Sequence, residues 1–222
     1  MKNNNTLKHP LQEHIISTLR RQEFTRFKDI LPPKTDTNVF SYHVKILVKA
    51  DFIKKVEDRY TLSQNGIIYV HNLTKNDTNL PVIQCVILLQ NSDGDILLTP
   101  QSEQPYINTL SLPGRYVHAV DSTIEAVASG IISEQIGLKE VSPIHVGDAY
   151  VRVKSEQQTI STTITHVFRV TSDDVKLTPH FMWVQPHKLS SLRLTPGTES
   201  IIARSFFGDT HFFEEFDEEW TS

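Results

Sequence analysis

Among the 222 residues there is a single cysteine, Cys85, so an internal disulfide is excluded. Cys85 stands in the apolar run Cys85-Val86-Ile87-Leu88-Leu89 and reads as a small buried hydrophobe rather than a reactive thiol. That run is of strand length and is the longest apolar stretch. Nothing approaches the roughly 18 apolar residues of a membrane helix, so no membrane partner is expected. Met1-Lys2-Asn3-Asn4-Asn5 is polar and lacks the apolar core of an export signal, which makes the expected compartment cytoplasmic. There is no repeat of 20 to 50 residues and no low-complexity tract. Hydrophobic residues at 38% and charged residues at 22% are ordinary for a globular chain and exclude disordered, collagen-like and fibrous classes. The length allows one large or two small domains.

The net charge of −4 conceals an asymmetry. Residues 1–75 hold nine lysines and four arginines against four aspartates and three glutamates, a balance of +6. Residues 76–222 hold nine basic and nineteen acidic residues, a balance of −10. A basic third joined to an acidic remainder suggests two domains with different partners, the basic one suited to a polyanion. The polar, turn-rich stretch Asn72-Leu73-Thr74-Lys75-Asn76-Asp77-Thr78-Asn79 separates the two regimes, and Pro81 opens the second. The expected division is 1–72, a linker 73–80, a second domain 81–208, and a tail 209–222 with six acids and four large aromatics. The rings predict that this tail docks on its own chain or on a dimer partner.

In the first domain the spacing of Leu11, Ile15, Ile16 and Leu19 predicts a helix over 10–22. Phe24, Phe27, Ile30 and Leu31 make a second, short helix ended by Pro32-Pro33. A third is predicted over 36–50, with Asp36 or Thr37 as N-cap. Strands follow at 52–56 and 59–62 around a Glu57-Asp58 turn, then a helical or extended piece from Ser63. At about 100° per residue, Phe40, Val44 and Leu47 share one face of the third helix. Asn38, Tyr42, Lys45 and Lys49 share roughly the opposite one, with Ser41 beside them. Amides and hydroxyls can bond base edges and ammonium groups can bond phosphates, as a helix in the major groove requires. Lys54, Lys55 and Arg59 of the hairpin are placed for the neighbouring backbone. These eight residues are the DNA-binding candidates.

The segments 38–47, Ala50-Asp51-Phe52-Ile53 and Tyr60-Thr61-Leu62-Ser63-Gln64-Asn65-Gly66 resemble the winged helix-turn-helix regulators of the ArsR-like group. Asp51 stands where that group usually has glycine. The resemblance covers residues 9 to about 70 and implies double-stranded DNA as partner, with the protein a homodimer. The cysteines of metal-sensing members are absent.

The second domain reads as α+β. Strands are predicted at 82–89, 95–98, 145–153, 160–170 and 181–184, and helices at 121–136 and 197–206. Ser122-x-x-Glu125 forms a capping box and Gly137 a C-terminal stop. Asp93-Gly94-Asp95-Ile96-Leu97-Leu98, Leu112-Pro113-Gly114, Glu134-Gln135-Ile136-Gly137-Leu138 and Phe181-Met182-Trp183-Val184 resemble the Nudix fold, which implies an α/β/α sandwich over residues 81 to about 207. Nudix hydrolases cleave nucleoside diphosphates linked to another moiety, with Mg²⁺ held by glutamates at i, i+3 and i+4 of one helix. Matched back from Gly137, the box positions are Gly130, Ile131, Glu134 and Gln135. Matched forward, the opening glycine is Arg115, the early glutamate is Asp121, and the box contains one inserted residue. On a regular helix Glu125 falls about 180° from Glu134, and Asp121 roughly 20 Å along the axis. Asp148 and Glu156 are the other acids considered for a metal.

Gln101, Asn108, Arg115 and Glu134 are the ligand-binding candidates, Arg115 as a guanidinium for phosphate. The histidines, including His118, His145, His166, His180 and His187, show no short ligand spacing and read as structural or surface residues. No catalytic residue, metal ligand or cofactor is assigned. The combined expectation is a DNA-binding transcription regulator whose catalytically degenerate Nudix domain senses a nucleotide-like or phosphosugar metabolite. The alternative is a divergent, Mg²⁺-dependent Nudix hydrolase of nucleoside-diphosphate derivatives with an accessory winged-helix domain.

Overall fold

Each amphipathic segment of the first seventy residues buries its apolar stripe in one small core. A computed structural model describes residues 7, 9–73, 81–155, 158–175, 180–206 and 211–220. Glu156 and most of the expected linker lie outside the described residues. The chain forms two compact units, one from residues up to 73 together with 102–107, the other from 81–101 and 108–220.

In the first unit, α1 (Pro10–Arg21), β1 (Thr25–Arg26), α2 (Phe27–Ile30), α3 (Thr37–Lys49), β2 (Ile53–Val56), β3 (Arg59–Leu62) and α4 (Gln64–Leu73) follow in order. β1 lies against β3, giving a three-stranded antiparallel sheet in the order β1-β3-β2. Two residues are too few to carry a period, so β1 has no sequence signal. Ile15, Ile16, Leu19, Ile30, Phe40, Leu47 and Ile53 fill the core. Asp51, just past α3, adopts φ +56°, the left-handed conformation that glycine takes without strain.

The second unit is a mixed sheet between helical layers. Its strands are β4 (Val82–Gln90), β5 (Ile96–Pro100), β6 (Leu110–Ser111), β7 (Gly114–Tyr116), β8 (Ile144–Ser155), β9 (Gln158–Thr171), β10 (Met182–Val184) and β11 (Phe212–Glu219). The order is β10-β5-β4-β9-β8-β11, with β4–β9 and β8–β11 parallel. Helix α5 (Ile124–Gly130) continues into a π-helical segment, Ile131–Ile136. Both pack through Val127, Ala128, Ile131, Ile132 and Ile136 on the face carrying Cys85, Ile87, Leu89, Phe168 and Val170. Arg169, on the opposite face of β9, donates to the Ser205 carbonyl of α6 (Thr198–Phe206).

Two local expectations change and a third is met. The N-cap of α5 is Thr123, whose hydroxyl accepts from Ala126 N–H, so the helix starts one residue later than the Ser122 box implied. The helix continues from Gly130 as a π-helical segment over Ile131–Ile136 rather than as the regular helix expected. The expected tail docks on its own chain, residues 212–219 forming an edge strand parallel to β8 from Gly147 to Lys154. Among the described residues no helix is long and apolar enough to cross a membrane.

Candidate functional site

In the first unit the candidate surface is one side of α3. Asp36 caps the helix, accepting from the N–H groups of Asn38 at 2.7 Å and Val39 at 3.2 Å. Phe40, His43, Val44 and Leu47 point inward and fix the roll of the helix. Asn38, Tyr42, Lys45 and Lys49 are thereby exposed and Ser41 is half-buried. Lys54 and Lys55 on β2 and Arg59 on β3 are exposed as well. Arg59 is only loosely held, its Nε 3.9 Å from Asp58, which also pairs with Arg26 at 3.2 Å. His43 is missing from the sequence-based set because it faces the core. It stacks on His9 at 3.9 Å, and burial, with His9 beside it, holds its pKa below the ordinary histidine value.

The ligand candidates of the second unit fall into two pairs. Asn108, at φ +63°, donates its backbone N–H to the Gln101 carbonyl at 3.0 Å, closing the loop between β5 and β6. The Gln101 side-chain amide donates to Ser111 at 2.6 Å. Arg115, on β7, does not offer a free guanidinium. Its two terminal nitrogens donate to the two oxygens of Asp121 at 3.0 and 2.9 Å, a fork-on-fork pair. That pairing, helped by the His118 N–H, holds the Asp121 carboxyl down to about 2. Glu134, exposed on the π-helical segment, adds to the field at Arg115.

The donor set does not fit the Mg²⁺ site that the Nudix resemblance implies. Ile131, at one glutamate position, is wholly buried and offers no oxygen. Gln135 contributes a neutral amide, and Asp121 is not on the helix at all but folded onto Arg115. Glu134 is the one carboxylate at these positions of the helix, too little for a hard divalent cation. Cys85 has no exposed surface, and burial pushes its thiol up to about 12, which removes it as a nucleophile.

Sequence reasoning missed a cluster on the α5 side of the sheet. Arg115, Cys85, His166 and Asp148 form one lateral row across β7, β4, β9 and β8. Asp148 Oδ1 lies 2.9 Å from His145 Nε2 and 2.6 Å from His166 Nδ1. His211 Nε2 is 3.5 Å from the other Asp148 oxygen. Glu125 at the start of α5 feels both His145 and His166, though its pKa is lowered chiefly by hydrogen bonds at its own backbone and Thr123.

No protein-family model matches the chain, and no curated protein does. Solved structures similar to it are of the MutT and Nudix class. The MutT mutator protein of Bacillus halodurans is 16% identical, with 61% of this chain and 89% of that chain covered at a TM-score of 0.47. The Nudix domain of Shewanella oneidensis NrtR, solved with ADP ribose, is 12% identical, covering 63% and 98% at 0.45. NrtR of the same organism in complex with a 27mer DNA is 11% identical, covering 56% and 59% at 0.46.

Proposed function

We propose that the chain is a DNA-binding transcription regulator, acting as a homodimer, whose second unit is a Nudix-type domain that has exchanged hydrolysis for binding of a nucleotide-like metabolite. The observation that carries the reading is the exposed face of α3. An amide, a phenol and two ammonium groups project from a helix whose other side is locked into a core, and a hairpin with three exposed cations adjoins it. The order of elements in the first unit, with a hairpin after three helices, supports reading it as a winged helix. In this reading Asn38, Ser41 and Tyr42 meet base edges, while Lys45, Lys49, Lys54, Lys55 and Arg59 meet phosphates.

For the second unit, the support is chemical. A fold with the Nudix order of elements lacks the carboxylates that Mg²⁺-assisted hydrolysis needs. Gln101, Asn108, Arg115 and Glu134 remain the binding candidates, with Arg115 exchanging part of its Asp121 pairing for a ligand phosphate. The effector then shifts the affinity for operator DNA, and no cofactor takes part.

The test uses the full chain. Randomised duplexes are selected by the protein, and the enriched site is titrated with and without ADP-ribose, dinucleotides and nucleotide sugars. Enrichment of one sequence, with an affinity moved by one of these compounds and no turnover of it, is the expected result. Absence of enrichment at low salt overturns the DNA reading. Turnover near the common range of about 1 per second, lost in Glu134→Gln, makes the chain a hydrolase instead.

A further inference from the structure

The sheet of the second unit brings two histidines and an aspartate together in a way their spacing conceals. Residues three apart on a regular strand point to opposite faces, since side chains alternate. His145 and Asp148 nevertheless share a face. Their cross-strand partners on β9 are Phe168 and His166, two residues apart, because the register slips between His145 and Gly147. That slip is a β-bulge, a device that re-aims a side chain. His166, directly opposite Asp148, completes the set.

The three side chains converge rather than merely adjoin. Both His145 Nε2 and His166 Nδ1 point at the same oxygen of Asp148, and one ligand atom from each residue lies within 4.8 Å of the others. His145 is held by stacking on Phe168 at 4.7 Å and 21°, and His211 stands edge-on to it at 4.7 Å. All three ligand side chains are partly exposed, between 20% and 32%, so an ion has access while their orientation is fixed. Without metal, each imidazole must donate an N–H to the shared oxygen. With metal, both nitrogens turn lone pairs inward, and one cation takes the place of two hydrogen bonds.

We infer that His145, Asp148 and His166 form a binding site for a divalent first-row transition-metal ion, with His211 facing the remaining coordination position. Two imidazoles and one carboxylate are a donor set that suits Zn²⁺ or Fe²⁺ and disfavours Mg²⁺ and Ca²⁺, which want oxygen ligands. Bonds of about 2.0–2.2 Å around a tetrahedral ion set neighbouring ligand atoms roughly 3.3–3.6 Å apart, so the Asp148 oxygen draws back from the 2.9 and 2.6 Å of its hydrogen bonds to admit the ion. Asp148 carries a negative charge to the ion, and Glu125 adds a second nearby. Its ligands lie on β8 and β9 rather than on the helical segment that carries Glu134, and the site stands whether or not the first unit binds DNA.

The experiment takes the full chain, freed of any affinity tag and stripped with a chelator, and titrates it with Co²⁺ while recording visible ligand-field absorption. One Co²⁺ per chain is expected, displaced by Zn²⁺ and by Fe²⁺ but not by a large excess of Mg²⁺. His145→Gln, Asp148→Asn and His166→Ala each weaken binding by at least about 100-fold, the upper end of what losing even an indirect partner costs. His187→Ala, at an exposed histidine elsewhere on the unit, leaves it unchanged. Circular dichroism of the metal-free proteins restricts the comparison to variants that fold, and three separate substitutions keep at least one available. Absence of a saturable spectrum in the wild type overturns the inference. So does a spectrum that survives in every folded site variant, or one lost equally in His187→Ala.

Discussion

Asp121 and Arg115 show what a single pair can decide. Each was visible in the sequence, one as the residue in place of an early glutamate, the other as a cation for phosphate. Their mutual bond was not, because it depends on the chain reversing between them at His118, whose N–H also donates to Asp121. The pair sets a pH dependence with a definite sign. Asp121 titrates at about 2 in the folded protein, against an ordinary value near 3.8. Its contribution is therefore complete above about pH 4 and is lost as pH falls towards 2, because the unfolded chain takes up the proton first. Urea unfolding of the wild type and Asp121→Asn is expected to give a constant stability gap above about pH 4 that narrows below it. A gap independent of pH down to about 3 would show that the ion pair does not form. Other residues were legible for plain reasons. Asp51 occupies a position where the ArsR-like resemblance expects glycine, and its φ of +56° explains that preference. At Gly66 a Cβ would stand 1.9 Å from the Phe52 carbonyl oxygen, so the glycine of that motif answers to close approach of backbone.

Elements were legible where apolar period and burial agree. The helices α1 and α3 and the hairpin of β2 and β3 emerged almost to the residue, because one face of each is apolar and the other polar. β11 was not. Its alternation puts Phe212, Glu214, Phe216, Glu218 and Trp220 on the more buried side, so glutamates share that side with rings. Arg204 pairs with Glu214 at 2.8 Å and Ser200 donates to Glu218 at 2.8 Å, which makes half-burial of those acids tolerable. On the exposed side Asp217 pairs with Arg152 and Lys154 of β8. No hydropathy pattern reveals such a strand, and the same applies to the histidine cluster, whose members are joined by a bulge. Gly147 gives a test of how β11 docks. A Cβ there would lie 2.2 Å from the Phe212 ring, which is 4% exposed. Gly147→Ala is expected to destabilise the protein by roughly 1–3 kcal/mol, as overpacking does. Amide exchange in residues 212–219 should rise more than tenfold while β4 and β9 keep their protection. Equal loss of protection across the sheet would mean that β11 is not a separately docked edge.

For the whole molecule, charge and architecture divide the chain in the same region. The basic residues gather in the unit that exposes α3, and the acidic ones in the unit built on the mixed sheet. An acidic unit repels DNA, so any phosphate contacts fall to the first unit, and their number is measurable. Each neutralised phosphate contributes about −0.9 to the slope of log affinity against log salt. Lys54 and Arg59 are exposed, and Arg59's 3.9 Å contact with Asp58 is an exposed ion pair worth under about 1 kcal/mol, weak enough to yield to a phosphate. Lys54→Ala and Arg59→Ala are each expected to lower the slope by about 1 and to weaken all duplexes alike. Asn38 and the 62%-exposed Tyr42 have no charge to release counterions. Asn38→Ala and Tyr42→Ala should therefore leave the slope unchanged while altering discrimination between the selected site and its single-base variants by about 1–3 kcal/mol. The measurement is fluorescence anisotropy of the full chain on the selected duplex and its variants across a salt series. If the hairpin substitutions change neither slope nor affinity, the hairpin does not touch the backbone. If those on α3 weaken every sequence equally, that helix does not lie in the major groove.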